Sequence, residues 1–234
     1  MALRTATVAA CILALALTGC STSVPDVVEQ TAAGSETSDA PAASASAKPD
    51  GRLISSGFGQ QDEFVWVTSL VRNDSKQVGQ TVTVQFNVLN ATGNIIGSES
   101  QVESFSRPEQ LLVLGTQVDV PTSEKATRVE ATLLVEEAGA FSDSPFPEIP
   151  TSAVTIGKGE YGDTTGTFEV SNPTNAPLKN ARVGIICYNA KQNVIGGASE
   201  YPDLVPPSGK IRIDSTLNTR GTPAKCDAYA GPGI

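Results

Sequence analysis

The chain has 234 residues, of which 16 are Lys or Arg and 25 are Asp or Glu, so its formal net charge is −9. An acidic surface repels phosphate backbones, which argues against nucleic acid as a partner. The sequence contains no histidine, and this excludes Ser-His-Asp and Cys-His nucleophile systems and histidine metal sites. We therefore predict a protein that is not an enzyme and that uses neither a cofactor nor a metal.

The sequence pattern of the amino-terminal segment 1–19 is typical of a signal peptide. Arg4 precedes an apolar run at 8–17, which is too short to span a bilayer as a helix. The run ends in Leu-Thr-Gly-Cys at 17–20, which resembles the lipobox of bacterial lipoproteins. We expect Cys20 to carry a diacylglyceryl group and an acylated amino terminus, an anchor to the cell membrane on its extracytoplasmic face. The alternative is an ordinary secretory peptide with an incidental cysteine.

Residues 20–50 predict the lipidated cysteine followed by a flexible tether rich in Ser, Ala, Thr and Pro. Such a composition buries too little apolar surface to offset the entropy of ordering. As a flexible coil, the tether would separate its ends by roughly 30 Å.

The rest of the chain contains two copies of one unit. Residues 73–97 align without a gap with residues 172–196, 99 positions later. Identities fall at Asn73/Asn172, Val84/Val183, Asn90/Asn189, Ala91/Ala190, Asn94/Asn193, Ile96/Ile195 and Gly97/Gly196. We predict β-sandwich domains at 51–137 and 151–234, joined by a Pro-containing linker at 138–150.

Each copy has the pattern of a strand with one buried side. From residue 81, β-branched and aromatic residues alternate with polar ones, and the Asn- and Gly-rich segment 90–94 predicts a hairpin turn. The fold class predicted is all-β, with further strands at 64–72, 111–120 and 128–135.

The strand ends at 86–90 (Phe-Asn-Val-Leu-Asn) and 185–189 (Ile-Ile-Cys-Tyr-Asn) resemble the name-giving Phe-x-Leu-Tyr-Asp of the FxLYD domain of secreted and membrane-attached prokaryotic proteins. Asn replaces the Asp in both copies, and only Tyr188 keeps the Tyr. The resemblance implies two tandem immunoglobulin-like β-sandwiches and brings no known catalytic residues.

Cys187 and Cys226 occupy positions where the first copy has Val88 and Val129. Two positions that are apolar in one copy and both Cys in the other predict neighbouring core residues joined by a disulfide, which the compartment outside the membrane permits. The alternative is two reduced, buried thiols.

A candidate partner-binding face lies on the strand before the first repeat. Phe64, Trp66 and Leu70 share the face opposite the buried one, and Trp is enriched at binding hot spots. The alternatives are that the segment 52–58 or the second domain covers this face, or that a β-bulge inverts it.

The sequence therefore predicts a lipid-anchored protein with a non-catalytic binding or scaffolding role at the cell envelope, with an envelope protein as a possible partner. One alternative is a carrier or chaperone for a lipid or envelope precursor, which would need an interior cavity. A second is a carboxylate-dependent hydrolase. Its nearest carboxylate cluster, Glu160 and Asp163, has the pattern of solvated turn residues.

Overall fold

The computed structural model describes residues 50–137 and 144–233. These residues fall in one compact unit, and we call the two ranges the first half and the second half. All regular structure in them is β, with no helix, so the all-β prediction is confirmed.

Six strands form the first half. They are β1 (Gly51–Gln61), β2 (Phe64–Asn73), β3 (Thr81–Leu89), β4 (Ile95–Ser104), β5 (Leu111–Asp119) and β6 (Arg128–Glu136). They make two antiparallel sheets, in the orders β1-β2-β5 and β4-β3-β6. The alternation predicted for β3 is confirmed, because its inward side chains are 0% exposed: Val82, Val84, Phe86 and Val88. These side chains pack against those of β2 and β5 in the first core.

Nine shorter strands form the second half. They are β7 (Thr155–Lys158), β8 (Thr164–Ser171), β9 (Leu178–Lys179), β10 (Arg182–Tyr188), β11 (Val194–Glu200), β12 (Leu204–Val205), β13 (Lys210–Thr216), β14 (Asn218–Thr219) and β15 (Lys225–Gly231). The sheets have the orders β13-β8-β7, β14-β11-β10-β15 and β12-β9. Phe168, Ile185 and Leu217 are among the buried residues of this second core.

The hairpin turns show the repeat in atomic detail. Asn90 N donates to Asn94 O, and the Asn90 Oδ1 accepts from the backbone N–H of Asn94. Both bonds recur between Asn189 and Asn193. The left-handed position within each turn is also shared: Gly93 has φ 84° and its equivalent, Gln192, has φ 62°.

The repeated Asn73 and Asn172 are buried polar residues that hold loops together. Asn73 Nδ2 donates to the carbonyl oxygens of Gln77 and Arg107. Asn172 Nδ2 donates to Ala176 O and Pro206 O at the equivalent positions. Since a buried amide without partners is costly, these bonds account structurally for the asparagine in both copies.

Parts of the segment predicted as a linker, 138–150, belong to the folded unit. Ile149 is 4% exposed and bridges to Ala230, and Phe146 packs against the second core. The pattern of prolines predicted a connector, but the apolar side chains between those prolines have a core to pack into. Several strands were not predicted. Among them, β1 has a bulge between Leu53 and Ser55, and β7 has only four residues.

Candidate functional site

The predicted lipidation site, Cys20, and the tether as far as residue 49 lie outside the described residues, so lipidation stays a prediction. Within residues 50–137 and 144–233, no helix has the length and apolar character needed to cross a membrane.

The predicted disulfide between Cys187 and Cys226 is confirmed. The two residues face each other on the paired strands β10 and β15, with their Cα atoms 4.1 Å apart. Val88 and Val129 face each other in the same way on β3 and β6. The disulfide of the second half therefore occupies the position that the apolar Val88–Val129 pair has in the first half.

The three residues of the candidate partner-binding face lie on one side of β2 but in different surroundings. Phe64 is 46% exposed, Trp66 is half-buried and Leu70 is 7% exposed. The Trp66 indole lies over Gly115 of β5, where a Cβ would come within 3.2 Å of its ring. Leu70 does not face solvent, so it is not available to an external partner in this arrangement.

Leu70 is covered by the second half. It forms a third apolar cluster with Val113 of β5, Ile186 of β10 and Val194 of β11. We call this contact, between the outer face of the β1-β2-β5 sheet and the outer face of β10 and β11, the junction. Its edge is formed by Leu111, Tyr188 and Tyr229. Covering by the second domain was one of the alternatives that the sequence left open.

Glycines let the backbones approach closely at the junction. A Cβ at Gly184 of β10 would lie 2.6 Å from the Val113 Cβ and 2.7 Å from the Val113 carbonyl oxygen. A Cβ at Gly57 of β1 would lie 2.3 Å from the Val194 carbonyl oxygen. Real Cβ atoms do not come this close to backbone, so a larger residue at either glycine would push the halves apart.

The junction joins faces that are not equivalent in the repeat. Where β10 presents Gly184 and Ile186 to the first half, β3 has Gln85 and Asn87. Where β2 presents Leu70, β8 has Glu169, which binds Lys210 at 2.7 Å on an exposed surface. The two copies have thus diverged in polarity at these positions of their outer faces.

Sequence reasoning found one side of the junction and missed the other. The signal for the missed side was present: β10 reads Val-Gly-Ile-Ile-Cys at 183–187, all of it buried, whereas β3 alternates. A strand that is apolar on both faces is covered on both.

A buried ion pair connects the halves beside the junction. Glu103 at the end of β4 binds Arg182 at the start of β10, and their side chains are 5% and 11% exposed. The Arg182 guanidinium also lies over the Tyr201 ring, 5.0 Å from its centroid. Burial raises the pKa of Glu103 to about 7, although the charge of Arg182 and hydrogen bonds from Gln101 and Arg182 act to lower it.

A cavity of about 300 Å³ lies next to this ion pair. Both halves contribute to its wall, so it depends on their packing. Its lining combines apolar and polar residues: Glu103, Ser104, Phe105, Ser106, Leu112, Ser144, Phe146, Arg182, Gly231, Pro232 and Gly233. Glu103 and Arg182 are the charged members of this lining.

Glu160 and Asp163 lie in the turn between β7 and β8. Gly159 N donates to Asp163 O, and Gly162 adopts φ 84° to close the turn. No group of three or more His, Cys, Asp or Glu side chains that could hold a metal occurs in the described part of the chain.

Comparisons with known proteins give no family for this chain. No family model matches it, and no curated protein matches it. Among solved structures it is similar to the crystal structure of red sea bream transglutaminase, with 12% sequence identity and a TM-score of 0.25. The match covers 76% of this chain and 29% of the transglutaminase chain. That similarity is too distant to carry fold or function from one protein to the other.

Proposed function

We propose that this protein is a lipid-anchored envelope protein in which two immunoglobulin-like β-sandwiches, at 51–137 and 151–234, serve a non-catalytic binding or scaffolding role. The lipobox ending at Cys20 supports the anchor. The repeat, the antiparallel sheets around each core and the resemblance to FxLYD domains support the tandem sandwiches.

The observation that carries the binding role is the junction. Leu70, Val113, Ile186 and Val194 are each less than 10% exposed there, and the backbones meet at glycines. A fixed relation between two units presents one pre-organised surface to a partner, which reduces the entropy lost on binding. A pair of units that served only as a spacer would not need such a contact.

Phe64 and Trp66 remain the candidates for contact with an envelope partner. Phe64 lies at the start of β2, beyond the part of that strand covered by the second half. An aromatic ring that is 46% exposed beside a half-buried indole offers apolar area for a partner to cover. In this proposal Leu70 instead stabilises the junction.

A carrier role is the second candidate, and the cavity beside the ion pair favours it. Its volume of about 300 Å³ lies at the small end of ligand sites in proteins, roughly 300–1,000 Å³. A small amphiphile fits this space, whereas a whole lipid does not.

Partner capture from native membranes tests the binding role. The tagged lipoprotein would be cross-linked in cells, purified and compared with Phe64→Ser. Tyr161→Ser provides the matched control, since Tyr161 is a 93% exposed aromatic residue elsewhere. We expect a cross-linked protein that Phe64→Ser loses and Tyr161→Ser keeps, with equal thermal stability of both variants. Equal capture by all three proteins would refute this binding face.

A further inference from the structure

We propose that the cavity beside Glu103 and Arg182 binds a small amphiphile that carries a carboxylate, with its apolar part against Phe105, Leu112 and Phe146 and its carboxylate on Arg182. This deepens the carrier candidate of the proposed function and rests on it. It does not depend on the lipid anchor or on the Phe64 face.

The size of the cavity limits the ligand. A cavity of about 300 Å³ lies at the small end of ligand sites in proteins, roughly 300–1,000 Å³, so it has room for a small ligand only. A straight-chain carboxylate of about eight carbons has that size. The apolar wall, from Phe105, Leu112, Phe146 and Pro232, is chemically suited to its alkyl chain.

The unsatisfied hydrogen bonds of Arg182 point to an acceptor. Its Nη1 binds Glu103, whereas its buried Nε and Nη2 have no hydrogen-bond partner among the described residues. Buried guanidinium N–H groups without acceptors are costly. Arg182 forms part of the cavity wall, so a turn of its guanidinium toward the cavity would let a carboxylate accept from Nη2. Planar guanidinium groups match carboxylates in geometry.

The protonation state of Glu103 affects the binding of a ligand carboxylate, which would be a second negative charge beside Arg182. In the cavity wall its carboxylate faces Arg182 of β10, its neighbour Gln101 is uncharged, and the remaining lining residues are uncharged. A bound carboxylate would repel the ionised form of Glu103 and favour uptake of one proton by it. Burial already raises the pKa of Glu103 to about 7, so this uptake is accessible near neutral pH. Binding of the carboxylate should therefore tighten as the pH falls from about 8 to about 6, where the ligand itself stays ionised.

The test uses the mature chain with Cys20→Ser, which lacks the lipid and retains every other residue. Octanoate is titrated by calorimetry, with 1-octanol as the uncharged probe of the same chain length. We expect saturable one-to-one binding of octanoate, with 1-octanol about 10- to 100-fold weaker, the factor that a hydrogen bond to a charged group contributes.

Two variants locate the site. Arg182→Met should lower octanoate affinity to that of 1-octanol, and the matched control Arg212→Met, an arginine 66% exposed on β13, should leave it unchanged. Gly231→Val should abolish binding of both probes. Gly231 lines the cavity, and a Cβ there would meet only the Gln110 Nε2 within 4 Å, at 3.8 Å. This variant should therefore fold even if Arg182→Met does not, and thermal unfolding checks both.

No binding of octanoate, equal affinity for octanoate and 1-octanol, or unchanged affinity in Gly231→Val would each overturn the proposal. Binding of 1-octanol but not of octanoate would refute the claim that the ligand carries a carboxylate, and it would remain consistent with a carrier role. Failure of both probes would leave anchoring and partner capture untouched, because neither was measured.

Discussion

Replacing Leu70 with alanine should destabilise the protein through the junction. Leu70 is 7% exposed and packs against Val113, Ile186 and Val194. Truncating a buried leucine removes its transfer free energy and leaves a cavity, which together cost about 2–5 kcal/mol. Because the neighbouring side chains can relax partly into the space left by the leucine, we expect about 3 kcal/mol. At about 2–4 °C per kcal/mol for a protein of this size, the melting temperature should fall by roughly 9 °C.

The assay is equilibrium unfolding in urea, with Leu134→Ala as the matched control. Leu134 lies on β6 with 51% of its surface exposed, so the same truncation there should cost less than about 0.5 kcal/mol. Combining Leu70→Ala with Ile186→Ala tests whether the loss comes from the junction, since residues in contact show coupling of about 0.5–3 kcal/mol. A loss below about 1 kcal/mol for Leu70→Ala, or no coupling to Ile186→Ala, would refute this reasoning.

Three further predictions concern single groups. Mass spectrometry with alkylation should find Cys187 and Cys226 unreactive until reductant is added, and two free thiols in protein from the native envelope would contradict the disulfide. The folded-state pKa of Glu103, about 7 against an ordinary value of 4.5, means that the folded state holds this proton more tightly than the unfolded state does. The free energy of unfolding should therefore fall as the pH rises from about 4.5 to about 7, by up to about 3 kcal/mol for this group. Urea unfolding across this pH range should show a smaller decrease in the free energy of unfolding for Glu103→Gln than for the unsubstituted protein. Equal decreases in the two proteins would show that Glu103 does not cause the pH dependence. Mass spectrometry of the mature protein should find an acylated amino-terminal Cys20. A Cys20→Ser protein that is still lipidated and membrane-bound would refute lipidation at Cys20.

The core of each half could be predicted from sequence because its signal is local. Alternation along β3 follows from the geometry of a strand with one buried face, and the hairpin turn depends on residues within five positions. The disulfide was predictable for a different reason: the repeat supplied an internal comparison, in which Val88 and Val129 showed what Cys187 and Cys226 replace.

The junction could be predicted only in part, because it depends on which faces meet. Leu70 was recognisable as apolar on an outer face, but nothing local shows whether a partner or the same chain covers it. The other side of the junction also left a trace in the sequence. Gly184 and Ile186 stand where the first copy has the polar residues Gln85 and Asn87, which indicates that the outer face of β10 is covered. The pairing of Glu103 with Arg182 had no sequence signal, as the two residues meet only when both halves are packed.

Residual dipolar couplings of the mature Cys20→Ser chain test the junction most directly. Backbone amide couplings would be measured for residues 50–137 and 144–233 and fitted separately to an alignment tensor. We predict that one tensor of the same magnitude and orientation describes both halves, because the contact around Leu70 and Gly184 holds them together. Two tensors that differ in magnitude or orientation would show halves that move independently, and would contradict both the junction and the cavity that depends on it.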